Sequence, residues 1–154
     1  MTSIFRVEIS GEPSEILCTQ EEAMEWFECL REEYDDSLDN LENCKLNLAF
    51  LSKSEIQEIN KTFAGKDKPT NVLSFPSSND IREENFLGDI AICSELIREE
   101  ATSQGKKINH HLIHIFVHGV LHLLGFDHDQ SSNAEKMESL EVRILSKIGV
   151  ADPY

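Results

Sequence analysis

Twelve residues, HGVLHLLGFDHD (118–129), leave the chain little freedom. His118 and His122 are four apart, so on a helix they stand one above the other on a single face. Leu123 and Leu124 continue the helical pattern. Gly125 suits the left-handed residue that ends a helix and lets the chain turn back, and after that reversal His128 can reach the same point in space. The segment predicts a helix end that gathers three imidazoles round one ion, each at roughly 2.0–2.1 Å if the ion is zinc. Three protein ligands leave a position for water, which is the catalytic and not the structural pattern. Neutral imidazoles favour zinc, and nickel, copper or cobalt suit the same donors.

The same helix also carries His110, His111 and His114. A single histidine on an apolar helix is more often a hydrogen-bonded core residue than a ligand, so the argument rests on spacing and not on number. His114, one turn before His118, is assigned structural or supporting duty. Asp127 is read mainly as a residue that steadies the turn or orients a ligand imidazole. The spacing matches the metzincin protease pattern H-E-x-x-H-x-x-G-x-x-H, except that Gly119 stands where the glutamate belongs. That glutamate is the general base of those proteases. Its absence argues against peptide hydrolysis and for hydrolysis of a different bond.

The rest of the chain predicts a small α+β fold: a mixed sheet of about four strands covered by helices, with the metal site at the end of a central helix. Strands are expected at 4–9, 45–51, 71–75 and 87–93. Capping boxes at Thr19/Glu22 and Ser52/Glu55 open helices to about Tyr34 and Phe63. Ser94 is expected to cap a helix to about Gln104, a long apolar helix follows from about Ile108 to Leu124, and Asn133 is expected to cap a last one. The order of the strands does not follow from the sequence. With 154 residues and no repeat or linker, 1–154 is expected to form one domain. The scattered cysteines Cys18, Cys29, Cys44 and Cys93 are read as reduced, packed thiols. The start MTSIFRVEIS lacks a secretory signal and no apolar run has bilayer length, so a cytoplasmic protein without membrane contact is expected.

A net charge of −15 is at first sight hostile to nucleic acid. The charge is unevenly spread: residues 1–43 hold thirteen acids against Arg6 and Arg31, whereas residues 44–68 are net positive through Lys45, Lys53, Lys61, Lys66 and Lys68. A polyanion can be met by that segment while the acidic part turns away.

HGVLHLLGFDH resembles the signature H-G-x-L-H-L-x-G-[YF]-D-H of the YbeY family, zinc-dependent endoribonucleases of bacterial ribosomal RNA maturation. GKDKPTNVLSFP (65–76), LGDIAIC (87–93) and the ending GVADPY resemble further blocks of that family, and the similarity covers about residues 45–154. The resemblance implies zinc held by His118, His122 and His128, and cleavage of single-stranded RNA. It further implies processing of ribosomal RNA ends, notably of the small subunit, and a part in ribosome quality control, with ribosome-associated proteins as further partners. Many relatives read [YF]-R-G-K-D in the second block, but here Ala64 stands in the arginine's place. Alanine cannot clamp a phosphate; Lys66 and Lys68 are the candidate phosphate contacts, as point charges and not as a planar fork. Asn71 and Ser74 are candidates for substrate contact from a strand lining the cleft. Two other readings stand beside the nuclease: a zinc-stiffened ribosome-assembly factor without catalysis, and a metalloprotease-like hydrolase.

Overall fold

The computed structural model describes residues 5–34, 44–77, 86–126 and 131–154. The elements run β1 (Arg6–Ser10), α1 (Gln20–Glu33), β2 (Lys45–Leu51), α2 (Lys53–Ala64), β3 (Val72–Pro76), β4 (Phe86–Cys93), α3 (Ser94–Ser103), α4 (Ile108–Leu123) and α5 (Ser131–Ile148). Two helices begin where reciprocal caps satisfy their first amides. Thr19 Oγ1 accepts from Glu22 N–H at 3.1 Å while Glu22 Oε1 accepts from Thr19 N–H at 3.0 Å. Ser52 and Glu55 repeat the pattern at α2. Removing such a cap costs about 1 kcal/mol.

Two expected caps are not caps. α3 has Cys93 at its N-cap, with no side-chain hydrogen bond. Ser94 is already helical and its hydroxyl donates instead to the carbonyl of Glu15, tying α3 to the segment before α1. Asn133 likewise lies inside α5, which is under way at Ser131. In both cases the polar residue near the start of an apolar periodicity is a helix residue. The expected acidic loop at 35–43 lies outside the described residues, as does most of the loop at 77–85.

One four-stranded sheet has the order β1-β2-β4-β3, with the first three strands parallel and β3 antiparallel to β4. Its register lines up Leu46, Leu48 and Phe50 with Gly88, Ile90 and Ile92, and these with Pro76, Ser74 and Val72. Strand residues two apart share a face, so this set forms the surface on which α4 lies. Phe116, Val117 and Val120 of α4 are fully buried, as are Phe27 and Leu30 of α1 and Ile144 and Leu145 of α5. α4 is therefore the central helix, enclosed between the sheet and the other two, and it is apolar on most of its circumference, as such a position demands. On the opposite face α2 sets Ile56 against Ala91 and Cys93.

Gly119 is what lets α4 come this close. A methyl group added there would meet Ile90 Cγ2 at 3.2 Å and Ser74 Oγ at 3.3 Å. Ser74 uses the proximity, donating to the carbonyl of Gly119 at 2.9 Å. The residue after His118 thus points into the sheet. A glutamate there would be driven into an apolar contact and not toward the histidines.

Candidate metal centre

The helix end forms as the glycine predicts. Gly125 has φ +101°, and its N–H donates to the carbonyl of His122 at 3.1 Å. Phe126 N–H reaches the carbonyl of Leu121, also at 3.1 Å. These two bonds make a Schellman motif. The motif also serves the site: the carbonyl of Phe126 swings back and accepts from His122 Nδ1 at 2.8 Å. One turn earlier, His118 Nδ1 donates to Glu141 Oε1 at 2.6 Å. The two remaining ring nitrogens, His118 Nε2 and His122 Nε2, face each other at 3.0 Å.

That geometry tests whether a cation fits. A neutral imidazole carries one N–H, and its position follows from what the ring bonds. Glu141 and the Phe126 carbonyl are acceptors, so both Nδ1 atoms hold the hydrogens. Both Nε2 atoms then turn lone pairs toward one point. Two lone pairs at this distance repel unless a proton or a metal cation lies between the rings. The donor set therefore suits a transition metal; two nitrogens bound to one zinc in a tetrahedron stand roughly 3.3 Å apart. Among the described residues no third metal-binding side chain joins the pair. His128 and Asp127 lie outside the described residues.

Glu141 was not legible as a site residue. It is a fully buried carboxylate on α5, and it meets three groups: His118, His114 Nε2 at 3.4 Å, and the Tyr154 hydroxyl, which donates to Oε2. Burial pushes its pKa up, but the contacts with His114, His118 and Tyr154 outweigh burial and hold the carboxyl at about 2. For Tyr154, burial and this same carboxylate push the phenol well above its ordinary range. A signal for Glu141 was present: it interrupts the apolar stripe Met137, Leu140, Ile144, Leu145 and Ile148 at a core position, where a lone charge needs a partner.

The other expected residues divide. Ser74 lines the histidine cleft, a space of about 470 Å³ bounded by Val72, Leu73, Pro76, His118, His122, Gly125 and Phe126; its hydroxyl is committed to Gly119. Asn71 turns away and donates to Glu100 at 3.1 Å. His114 has the supporting place expected of it, packed edge-on at 5.7 Å from the Tyr154 ring. Lys66 and Lys68 lie on the loop after α2, and Ala64 is the exposed last residue of that helix. The cysteines among the described residues are all free thiols.

Fold and cleft together define a small α+β protein: a central helix carries a facing imidazole pair under an edge strand, with a buried carboxylate behind it. The chain belongs to the Endoribonuclease YbeY family, whose profile matches residues 8–149. Proteins named Endoribonuclease YbeY from Francisella tularensis subsp. holarctica and Francisella philomiragia subsp. philomiragia are similar to it over 120 residues. The first is 46% identical, over 75% of this chain and 74% of its own length. The second is 45% identical, over 75% and 76%. A protein of Thermotoga maritima, solved in solution, superposes with a TM-score of 0.56 at 27% identity, covering 97% of this chain and 98% of its own.

Proposed function

We propose that this chain is a metal-dependent endoribonuclease that cuts single-stranded RNA in the maturation of ribosomal RNA, with His118, His122 and His128 holding one zinc ion. The observation that carries this reading is the pair of Nε2 atoms facing at 3.0 Å while both Nδ1 atoms are committed to acceptors. Family membership supplies the reaction class. A bound divalent ion would supply Lewis acidity toward a phosphoryl oxygen and a more acidic water.

The chain's own residues do the rest. Glu141 fixes the tautomer of His118, the Phe126 carbonyl fixes that of His122, and Tyr154 steadies Glu141. Edge strand β3 walls the cleft through Val72, Ser74 and Pro76. Lys66 and Lys68 attract the phosphodiester as point charges. The missing glutamate after His118 has a structural cause, since that position faces Ile90 and Ser74; this favours an RNA substrate over a peptide. In the cell the protein acts in the cytoplasm, on small-subunit ribosomal RNA precursors and in ribosome quality control.

Purified protein should cut single-stranded RNA, lose the activity to a chelator, and contain about one zinc per chain by elemental analysis. An intact, metal-loaded protein that leaves RNA uncut would sink this reading. Ala64 specifically favours a second one, a ribosome-assembly factor whose metal only stiffens the fold, because no guanidinium stands at the end of α2. Ala64→Arg separates the two. The substitution raises cleavage in an enzyme and leaves an assembly factor inactive.

A further inference from the structure

Phe63 stands out among the phenylalanines, the rest of which are buried or half-buried. It lies in the last turn of α2 with 71% of its surface exposed, the most exposed large apolar residue among those described. Its ring does not hang free: it packs edge-on against Phe75 of β3, centroids 5.5 Å apart and planes at 67°. One edge is thus anchored to the sheet while much of the ring stays open to solvent.

The neighbouring loop is also held. Gly65 caps α2 with φ +69°. Lys66 N–H donates to the carbonyl of Asn60 at 3.3 Å, Lys68 N–H to that of Lys66 at 2.9 Å, and Asn60 Nδ2 to the carbonyl of Lys68 at 2.9 Å. The one acid in the loop, Asp67, is drawn back toward α2 by Gln57, whose Nε2 donates to it at 3.0 Å. What the end of α2 and this loop present outward is an open aromatic ring with the exposed cations Lys66 and Lys68 beside it in the chain. Phe75 and Ser74 are consecutive on edge strand β3, so their side chains take opposite faces of the sheet. Phe75 carries Phe63; Ser74 lines the histidine cleft.

We infer that Phe63 is a stacking platform for one unpaired base of a single-stranded RNA, with Lys66 and Lys68 meeting the flanking phosphates. The inference rests on the RNA reading above and names a recognition element for it. Every base has a π-face, so such a platform is sequence-tolerant. It demands an unstacked base, so it discriminates single strands from duplex. The two cations add a salt-dependent attraction on a chain that is acidic elsewhere. Phe63 and the histidine cleft thus lie on opposite faces of an edge strand, so an RNA bound at both would pass round the β3 edge.

The test compares Phe63→Ala, Phe63→Leu and Phe63→Tyr in binding labelled oligouridine and a matched RNA duplex, read by fluorescence anisotropy in the presence of chelator so that nothing is cut. Phe63 is exposed, so all three should fold, which circular dichroism verifies. Alanine and leucine should weaken single-strand binding about tenfold, tyrosine should restore it, and duplex binding should not change. Phe63→Trp adds an exposed fluorophore to a chain whose one tryptophan, Trp26, is buried; oligouridine should quench it and duplex should not. Leucine binding as tightly as phenylalanine, or unquenched emission from the Phe63→Trp variant at saturating oligouridine, overturns the platform. Cleavage by the metal-loaded wild type is scored separately. If it cuts while leucine binds normally, only the platform falls; if it binds through Phe63 without cutting, only the nuclease reading falls.

Discussion

The two halves of α4 carry the same residue on the same stripe and put it to different use. In the first half, His111 Nε2 meets Glu100 Oε1 at 2.9 Å, and the same carboxylate takes Asn71. His114 is wedged between Glu141 and the Tyr154 ring. In the second half, His118 and His122 each tie Nδ1 to the protein and aim Nε2 at the other. Ring spacing follows the division: centroids are 6.2 Å apart for His111–His114, 6.3 Å for His114–His118, and 4.6 Å for His118–His122. What separates a packing histidine from a chemical one here is neither burial nor type. It is whether the second nitrogen is directed at the same point as another ring's.

Exchanging the halves gives the largest effect. His122→Ala should reduce bound metal from about one per chain to near none and abolish RNA cleavage, with the fold intact by circular dichroism. His111→Ala should keep the metal and lose about 1–3 kcal/mol of stability, because a buried ring and its bond to Glu100 are removed; elemental analysis and urea denaturation read the two outcomes. Metal lost equally from both variants would erase the distinction. Next comes Gly119→Glu, which restores the protease pattern in sequence. Against Ile90 and Ser74 it should cost about 3 kcal/mol or more through overpacking and a buried charge, and a casein assay should show no gain of proteolysis.

Glu141→Gln should weaken metal binding by about 10–100-fold, the usual effect of removing a ligand's orienting partner, as measured by competition with a chromogenic chelator. It carries a pH signature too. The folded-state carboxyl is held at about 2, below its ordinary 4.5. Its stabilisation is therefore complete above that ordinary value and is lost as pH falls toward 2. The glutamine variant should lack that part of the acid unfolding curve. The smallest expected effect is Ser74→Ala, about 1 kcal/mol for the bond to Gly119, visible in thermal denaturation with the metal still bound.

What could be read beforehand was what is encoded locally. The capping boxes at Thr19 and Ser52, the apolar run of α4 and the reversal at Gly125 each lie within a few consecutive residues, and each formed as expected. Ser94 and Asn133 misled because a polar residue near a helix start can point elsewhere, and Ser94 found the distant carbonyl of Glu15. Strand order was not legible because parallel pairing of β1, β2 and β4 depends on crossovers that no short window contains. The site divides likewise. His118 and His122 follow from a spacing of four. Glu141 reaches His118 from α5, and Tyr154 reaches Glu141 from beyond it, through contacts set by packing and not by neighbours in the chain.

The closing turn of α4 couples two lengths that are usually independent. The same reversal that stops the helix supplies, through the Phe126 carbonyl, the acceptor that fixes the His122 ring. One residue inserted or deleted between His118 and His122 would turn the His122 ring and its acceptor by about 100° relative to His118. A change in count here moves His122 off the point that His118 Nε2 faces, so a single-codon insertion should disarm the cleft and, because Val120, Leu121 and Leu123 are buried, cost core packing as well.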